Sequence, residues 1–293
     1  MSISMLTNVT SLAAQQNLSN AQDALSKSIG RLSSGMRINN AADDAAGLGI
    51  SQSLKADITS LSQAQRNAND GISLSQVAEG GMAQMQGIVS RMRELAVESA
   101  NGTLGNTERG YIQTEFKQLS GEIDRISSVT DFNGQKLLDG SAASGLTFQV
   151  GIQNTANDRL SLSIAKLSTS TMGTAAVAAS TGVSAVSAVT IGSASLSSAS
   201  GAQSAIAAFD AAIKQLSTAR ANVGAVQNRM QVTVSNLSVT AQNLTAANSR
   251  ITDVDIASET ANMTQENILS QAGVAVLAQA NSMPATALSL LRG

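Results

Sequence analysis

The sequence predicts a mainly α-helical protein: a long antiparallel helical bundle or coiled coil whose N- and C-terminal helices pair, with a small β-hairpin region between the middle helices. Three observations carry this. Small and apolar residues recur at heptad spacing in several separate segments. A single proline in 293 residues leaves long stretches free of the strongest helix breaker. The hydrophobic share is 43% but the aromatic share only 2%, which suits thin helix-to-helix seams better than a thick core.

The first helix is read from Leu18, Leu25 and Leu32, seven apart, with Ala21 and Ile29 near the intermediate positions. A second, longer seam runs through Leu61, Ala64, Ala68, Gly71, Ser75, Ala78, Met82, Met85, Val89, Met92 and Ala96 in alternating steps of three and four. After the turn-like "NGTLGN", a shorter helix keeps the rhythm at Ile112, Phe116, Leu119, Ile123 and Ile126.

The period then changes. Turn signals at Asn133-Gly134 and Asp139-Gly140 precede alternating apolar residues at Leu146, Phe148, Val150 and Ile152, then Leu160, Leu162 and Ile164. This pattern predicts short strands in one or two hairpins. Residues 168–200 are almost wholly Ser, Thr, Ala, Gly and Val, and predict low-complexity surface or a small, poorly packed module.

Helical rhythm returns at Ile206, Phe209, Ile213, Leu216, Arg220, Val223, Gln227, Met230, Val234, Leu237, Ala241 and Leu244. Arg220 and Gln227 interrupt it where the seam is wet or where register is fixed. The two long middle helices are expected to pair antiparallel. The last helix steps through Leu269, Ala272, Val276, Ala280, Met283, Ala287 and Leu290, and also carries Val274, Ala275, Leu277, Ala278, Leu288 and Leu291 on other faces.

Composition excludes whole classes of chemistry. With no Cys and no His, there is no disulfide, no thiolate nucleophile, no common zinc constellation and no Ser-His-Asp triad. A net charge of -2 and the lack of any Lys/Arg run argue against nucleic acid as a partner. Asp43-Asp44 and Asp253 with Asp255 lie near helix starts, where acids cap exposed N–H groups and complement the dipole. No cofactor or metal is expected. The first residues have neither a basic n-region nor an apolar h-region, so no secretory signal peptide is expected, and by that test alone the chain would stay in the cytoplasm.

The closing stretch poses the functional question. Between Glu266 and Arg292 lie 25 residues without a charge. They are long enough to span a membrane, but Gln271, Gln279, Asn281, Ser282, Pro284 and Thr286 are penalised in hydrocarbon, and no basic flank or aromatic belt accompanies them. A helix apolar on more than one face is a buried helix. With no other element of the chain left to cover it, copies of the same chain are the expected partners, and a contact that does not close builds a helical filament.

The residues that carry this argument resemble bacterial flagellin. The resemblance rests on "ALSKSIGRLSSGMRINNAADDAAGLGIS" (Ala24 to Ser51), "RMRELAVESANGTL" (Arg91 to Leu104), "FNGQKLLDG" (Phe132 to Gly140) and "SRITDVDIASETANMTQENILSQAGVAVLAQAN" running into "LSLLR". It covers residues 1–166 and 201–293. It implies a terminal-helix coiled coil from 1–42 and 253–293 lining an inner tube, and a helical bundle with hairpins from 43–167 and 201–252. Residues 168–200 would form a short outer variable segment, too small for the folded outer domains of larger members, whose Ser and Thr are either O-glycosylated or bare.

The function so implied is that of a structural subunit of the extracellular flagellar filament, used for motility and exported unfolded through the flagellar type III system. The alternative is a hook-filament junction protein, which has similar termini. Implied inner-tube contacts are Leu18, Leu25, Ile29, Leu32, Leu269, Val276, Leu277, Met283, Leu288 and Leu291. An axial contact, also read by Toll-like receptor 5, is implied at Arg91, Glu94, Leu95 and Glu115; the C-terminal helix is the part that NAIP receptors sense in the family. Implied partners are the chain itself, an export chaperone, the filament cap and hook-junction proteins, with no membrane insertion. Some family members carry a grafted zinc protease, but a chain without His has no such site. A cytoplasmic coiled-coil adaptor is the remaining class, and it predicts soluble dimers.

Overall fold

A computed structural model describes residues 8–173 and 189–292, with side chains described up to residue 283. The chain divides into two compact units, one formed by residues 1–58 with 242–293 and the other by residues 59–241.

The terminal unit is built on two helices, α1 (Val9–Ser34) and α5 (Ile256–Arg292), with the first turns of α2 (Ala45–Ser99) and the end of α4 (Ala199–Thr252). Asn8 starts α1, its Oδ1 accepting the Ser11 N–H at 3.1 Å, and Gly35 ends it at φ +69, a backbone conformation that only glycine adopts cheaply. Asp44 accepts the Gly47 N–H at 2.8 Å at the start of α2, and Asp255 accepts the Ala257 and Ser258 N–H groups at the start of α5. Asp44 and Asp255 therefore cap, as their positions predict; Asp43 instead accepts the Asn39 and Asn40 N–H groups of the preceding loop, and Asp253 the Ser249 and Thr252 hydroxyls. The α1–α2 and α4–α5 crossings are joined by a short antiparallel bridge between Met36 and Asp253, in which the Arg37 N–H donates to Thr252 O and the Val254 N–H to Gly35 O.

The middle unit holds the core. All eleven residues of the second seam, Leu61 to Ala96, lie buried along α2. Two ion pairs set α4 antiparallel to it: Arg93 with Asp210 at 2.6 Å, and Arg220 with Glu79 at 3.5 Å. The third helix, α3 (Asn106–Val129), packs Ile112, Phe116 and Ile123 inward, and Phe116 meets Phe209 of α4 with ring centroids 5.8 Å apart. The α4 seam is buried at Phe209, Leu216, Val223 and Met230 and only half-buried from Val234 onward. The polar intrusion Arg220 reaches Gln86 at 2.6 Å, so at this point the seam holds register by a side-chain pair.

Two hairpins follow α3, as the change of period predicts. Strands β1 (Asp131–Phe132) and β2 (Gln135–Lys136) turn through Asn133-Gly134, and β3 (Leu146–Gln149) pairs antiparallel with β4 (Arg159–Leu162). Phe148 of β3 and Leu160 of β4 pack with Met230, beneath which Gly71 of α2 leaves no room for a Cβ. The described parts of the low-complexity segment are better packed than their composition predicts. Met172, Ile191 and Leu196 are fully buried, and hydrogen bonds tie the two sides together, Ile191 N–H to Met172 O and Gly192 N–H to Thr169 O. Residues 174–188, which include part of the segment weighed for glycosylation, lie outside the described residues.

Candidate assembly interface

In the terminal unit, α1 and α5 run antiparallel and close together. Asn8 Nδ2 donates to Ala280 O at 2.8 Å and the Ser11 hydroxyl to Asn281 Oδ1 at 2.6 Å at one end, while Arg31 reaches Glu259 at 4.0 Å and Asp43 at 3.9 Å at the other. Close approach midway is made possible by Gly273: a Cβ there would stand 3.2 Å from the Leu18 methyl. The α5 face turned to α1 thus runs through Glu259, Gly273, Leu277 and Ala280.

This register differs from the apolar stripe predicted for the last helix. Among the described side chains of that stripe only Ala280 is buried; Leu269, Val276 and Met283 are 47%, 58% and 50% exposed. The physical reason is that α5 is apolar on several sides, so hydrophobicity does not select the face that meets α1, whereas the missing side chain at Gly273 does. Leu18, Leu25, Leu32 and Leu277 are half-buried within the pair and Ile29 is 51% exposed. Leu288 and Leu291 lie outside the described side chains.

The pair therefore carries more apolar surface than it covers. Val9, Leu12, Ile256, Ile268 and Val274 also stand more than half exposed, and none of the five was among the predicted contacts. A groove of about 540 Å³ runs beside the pair, lined by Ala14, Leu18 and Ala21 on α1 and by Leu269, Gly273 and Val276 on α5. Contiguous apolar surface of this kind marks an interaction site. No described helix is long and apolar enough to cross a membrane.

The second predicted patch lies in the middle unit. Arg91 pairs with Glu115 of α3 at 3.0 Å and with Glu94 at 3.1 Å, all three side chains being close to half or more exposed. Hydrogen bonds from Arg91, to Glu115 first and then Glu94, hold its guanidinium pKa above the ordinary arginine value. Leu95 requires correction: it is 2% exposed, turned into the core beside Met92 and Ala96, and has no side chain to offer a partner. It lies one residue from exposed Glu94, a step that turns it about 100° around the helix axis and toward the core.

Two clamps went unread in the sequence. Asp124 of α3 accepts the Thr169 N–H and hydroxyl at 2.9 and 2.7 Å, and Gln113 accepts the Leu196 N–H, so one helix grips both flanks of residues 174–188. Arg109, 8% exposed, donates to Ser99 O and Asn101 O, each at 2.9 Å, closing the end of α2 onto α3. Such polar contacts leave no periodic signal.

Comparison with known proteins extends these observations. Residues 5–143 match the family described as bacterial flagellin N-terminal helical region, and residues 206–291 the bacterial flagellin C-terminal helical region. A flagellin of Halalkalibacterium halodurans is 41% identical over 285 residues, covering 97% of this chain and 98% of the relative. A flagellin of Bacillus subtilis is 41% identical over 303 residues with the same coverage. Among solved structures, one described as a flagellar hook-associated protein from Vibrio parahaemolyticus covers 72% of this chain and all of its own length with a TM-score of 0.56; at 13% identity it shares the fold alone.

Proposed function

The chain belongs to the bacterial flagellin family, and from that premise we infer how its surfaces serve the subunit of an extracellular flagellar filament that self-assembles for motility. The observation that carries the reading is the uncovered apolar surface of the α1–α5 pair, at Leu269, Val276 and Met283 and along the groove beside them. Each large apolar side chain buried by a neighbouring copy contributes roughly 1.5–3 kcal/mol. A repeated, non-closing contact then grows a tube with the terminal helices innermost, residues 43–167 and 201–252 around them and 168–200 outside.

Arg91, Glu94 and Glu115 form the contact between axially adjacent subunits and the surface open to Toll-like receptor 5, with Leu95 acting beneath them as packing. The remaining partners are an export chaperone, the filament cap, hook-junction proteins and, in a host, NAIP receptors. The chain works without catalysis: its paired acids are engaged in local hydrogen bonds, Asp44 and Asp255 as helix caps, Asp43 with the Asn39 and Asn40 N–H groups and Asp253 with the Ser249 and Thr252 hydroxyls. A filament subunit is favoured over a hook-junction protein because the 41% identical relatives are flagellins across 97% of the chain, whereas the hook-associated likeness is one of fold.

Electron microscopy of the purified chain tests this. Long tubes are expected from the full chain; removal of 1–40 and 255–293 abolishes them and leaves a folded monomer. A full chain that stays monomeric at high concentration, or a truncated one that loses its helicity, overturns the assignment.

A further inference from the structure

Two Asn-Gly pairs sit at exposed turns of the middle unit, and the fold treats them differently. Asn133-Gly134 forms the two-residue turn between β1 and β2, with φ +51 and +79, and the Gly134 N–H donates to Asp131 Oδ2 at 3.2 Å. At Asn101-Gly102, between α2 and α3, the Gly102 N–H has no hydrogen-bond partner among the described residues. There Asn101 Oδ1 accepts the Thr103 N–H at 3.2 Å, a ring that folds the Asn101 side chain back over the Asn101–Gly102 peptide.

We propose that Asn101 is a site of spontaneous deamidation, and that the Asp131 carboxylate guards Asn133 from the same reaction. The Gly102 nitrogen gives its proton to solvent base and attacks Asn101 Cγ. A C–N bond forms, the Cγ–Nδ2 bond breaks and Nδ2 leaves as ammonia after taking a proton from water. Water then opens the cyclic imide at either carbonyl, leaving aspartate or isoaspartate. Glycine places no Cβ in the way of this closure, and the Thr103 N–H points at the oxygen where negative charge develops. At the other turn, an amide anion on Gly134 would face the Asp131 carboxylate, and like charges oppose its formation.

The product matters locally because the Asn101 carbonyl is a partner of buried Arg109, whose other partners are also neutral oxygens, Ser99 O and Asn106 Oδ1. Aspartate puts an anion into the turn that this cation closes. Isoaspartate lengthens the backbone by a methylene and carries the carbonyl away.

The test is incubation of the full chain in mildly alkaline buffer with peptide mapping of aspartate and isoaspartate at both positions. Conversion at 101 is expected to run about tenfold faster than at 133, the factor equivalent to one pKa unit in the acidity of the attacking amide. Asp131→Asn raises the rate at 133 by a similar factor, Gly102→Ala suppresses conversion at 101, and in denaturant the two sites converge. Equal rates in the folded chain, a ratio that persists in denaturant, or no response to Asp131→Asn overturns the proposal.

Discussion

Leu18 of α1 seats directly on Gly273 of α5: a Cβ on that glycine would lie 3.2 Å from the leucine's terminal methyl and 3.6 Å from its Cβ. The first atom is the end of a flexible side chain and gives way. Gly273→Ala is therefore expected to change the stability of the terminal pair by no more than about 1 kcal/mol, packing strain being offset by better helix propensity. Gly273→Leu has no such room and parts the helices. Circular dichroism of the monomer and sedimentation of the polymer read the two outcomes.

Val276 and Met283 stand 58% and 50% exposed on α5, Val276 at the rim of the groove beside the pair. Val276→Asp and Met283→Asp are expected to abolish sedimentable polymer while the thermal transition of the middle unit stays within ordinary scatter. If either variant polymerises normally, that face of α5 is not the assembly face.

Phe209 is wholly buried in the middle unit against Phe116. Phe209→Ala should lower unfolding free energy by about 3–5 kcal/mol through lost burial and the cavity left behind. Urea unfolding of the truncated chain measures this without interference from polymerisation. The same substitution at Val239, 55% exposed, should leave that quantity unchanged.

Asp43 is held below the ordinary carboxylate value of 3.8 by the N–H of Asn40, that of Asn39 and the positive charge of Arg31. With the folded pKa depressed, its contribution is complete above that value and is lost as pH falls through the lower, folded one. The loop from Asn39 to Asp43 should therefore stay closed at pH 4 and open only in stronger acid. Asp43→Asn should be open at both. Amide exchange at Asn39 and Asn40 follows the change directly.

Thr169 is held by Asp124 through two hydrogen bonds. Asp124→Ala should raise amide exchange at Thr169 and its hydrogen-bonded neighbour Gly192, and leave the Leu196 amide protected by Gln113. Loss of protection at all three would mean that the flanks open as one unit.

What the sequence made legible follows from what its pattern encodes. From Leu61 to Ala96 small residues and methionines alternate on one face with polar residues elsewhere, so one face alone fits a core and every position read there is buried. Both hairpins announce themselves through Asn133-Gly134 and the alternation at Leu146 and Phe148. Which face of α5 meets α1 was not legible because a helix apolar on several sides gives no preference among them, and the deciding residue, Gly273, acts through an absence of atoms. Leu95 was named with Arg91 and Glu115 through the family resemblance, and in the fold it is 2% exposed. Asp124, Gln113 and Arg109 were invisible because each bridges segments by polar contacts that follow no period.

The two flanks of residues 174–188 are tied to each other, Met172 to Ile191 and Thr169 to Gly192, and each is separately anchored to α3. In evolutionary terms this makes the stretch between them a free variable. For a flexible loop between fixed ends, each doubling of length costs only about 0.6 kcal/mol in closure entropy. Descendants of this chain can lengthen, shorten or replace that stretch by single insertion events, and selection for folding would scarcely register the change.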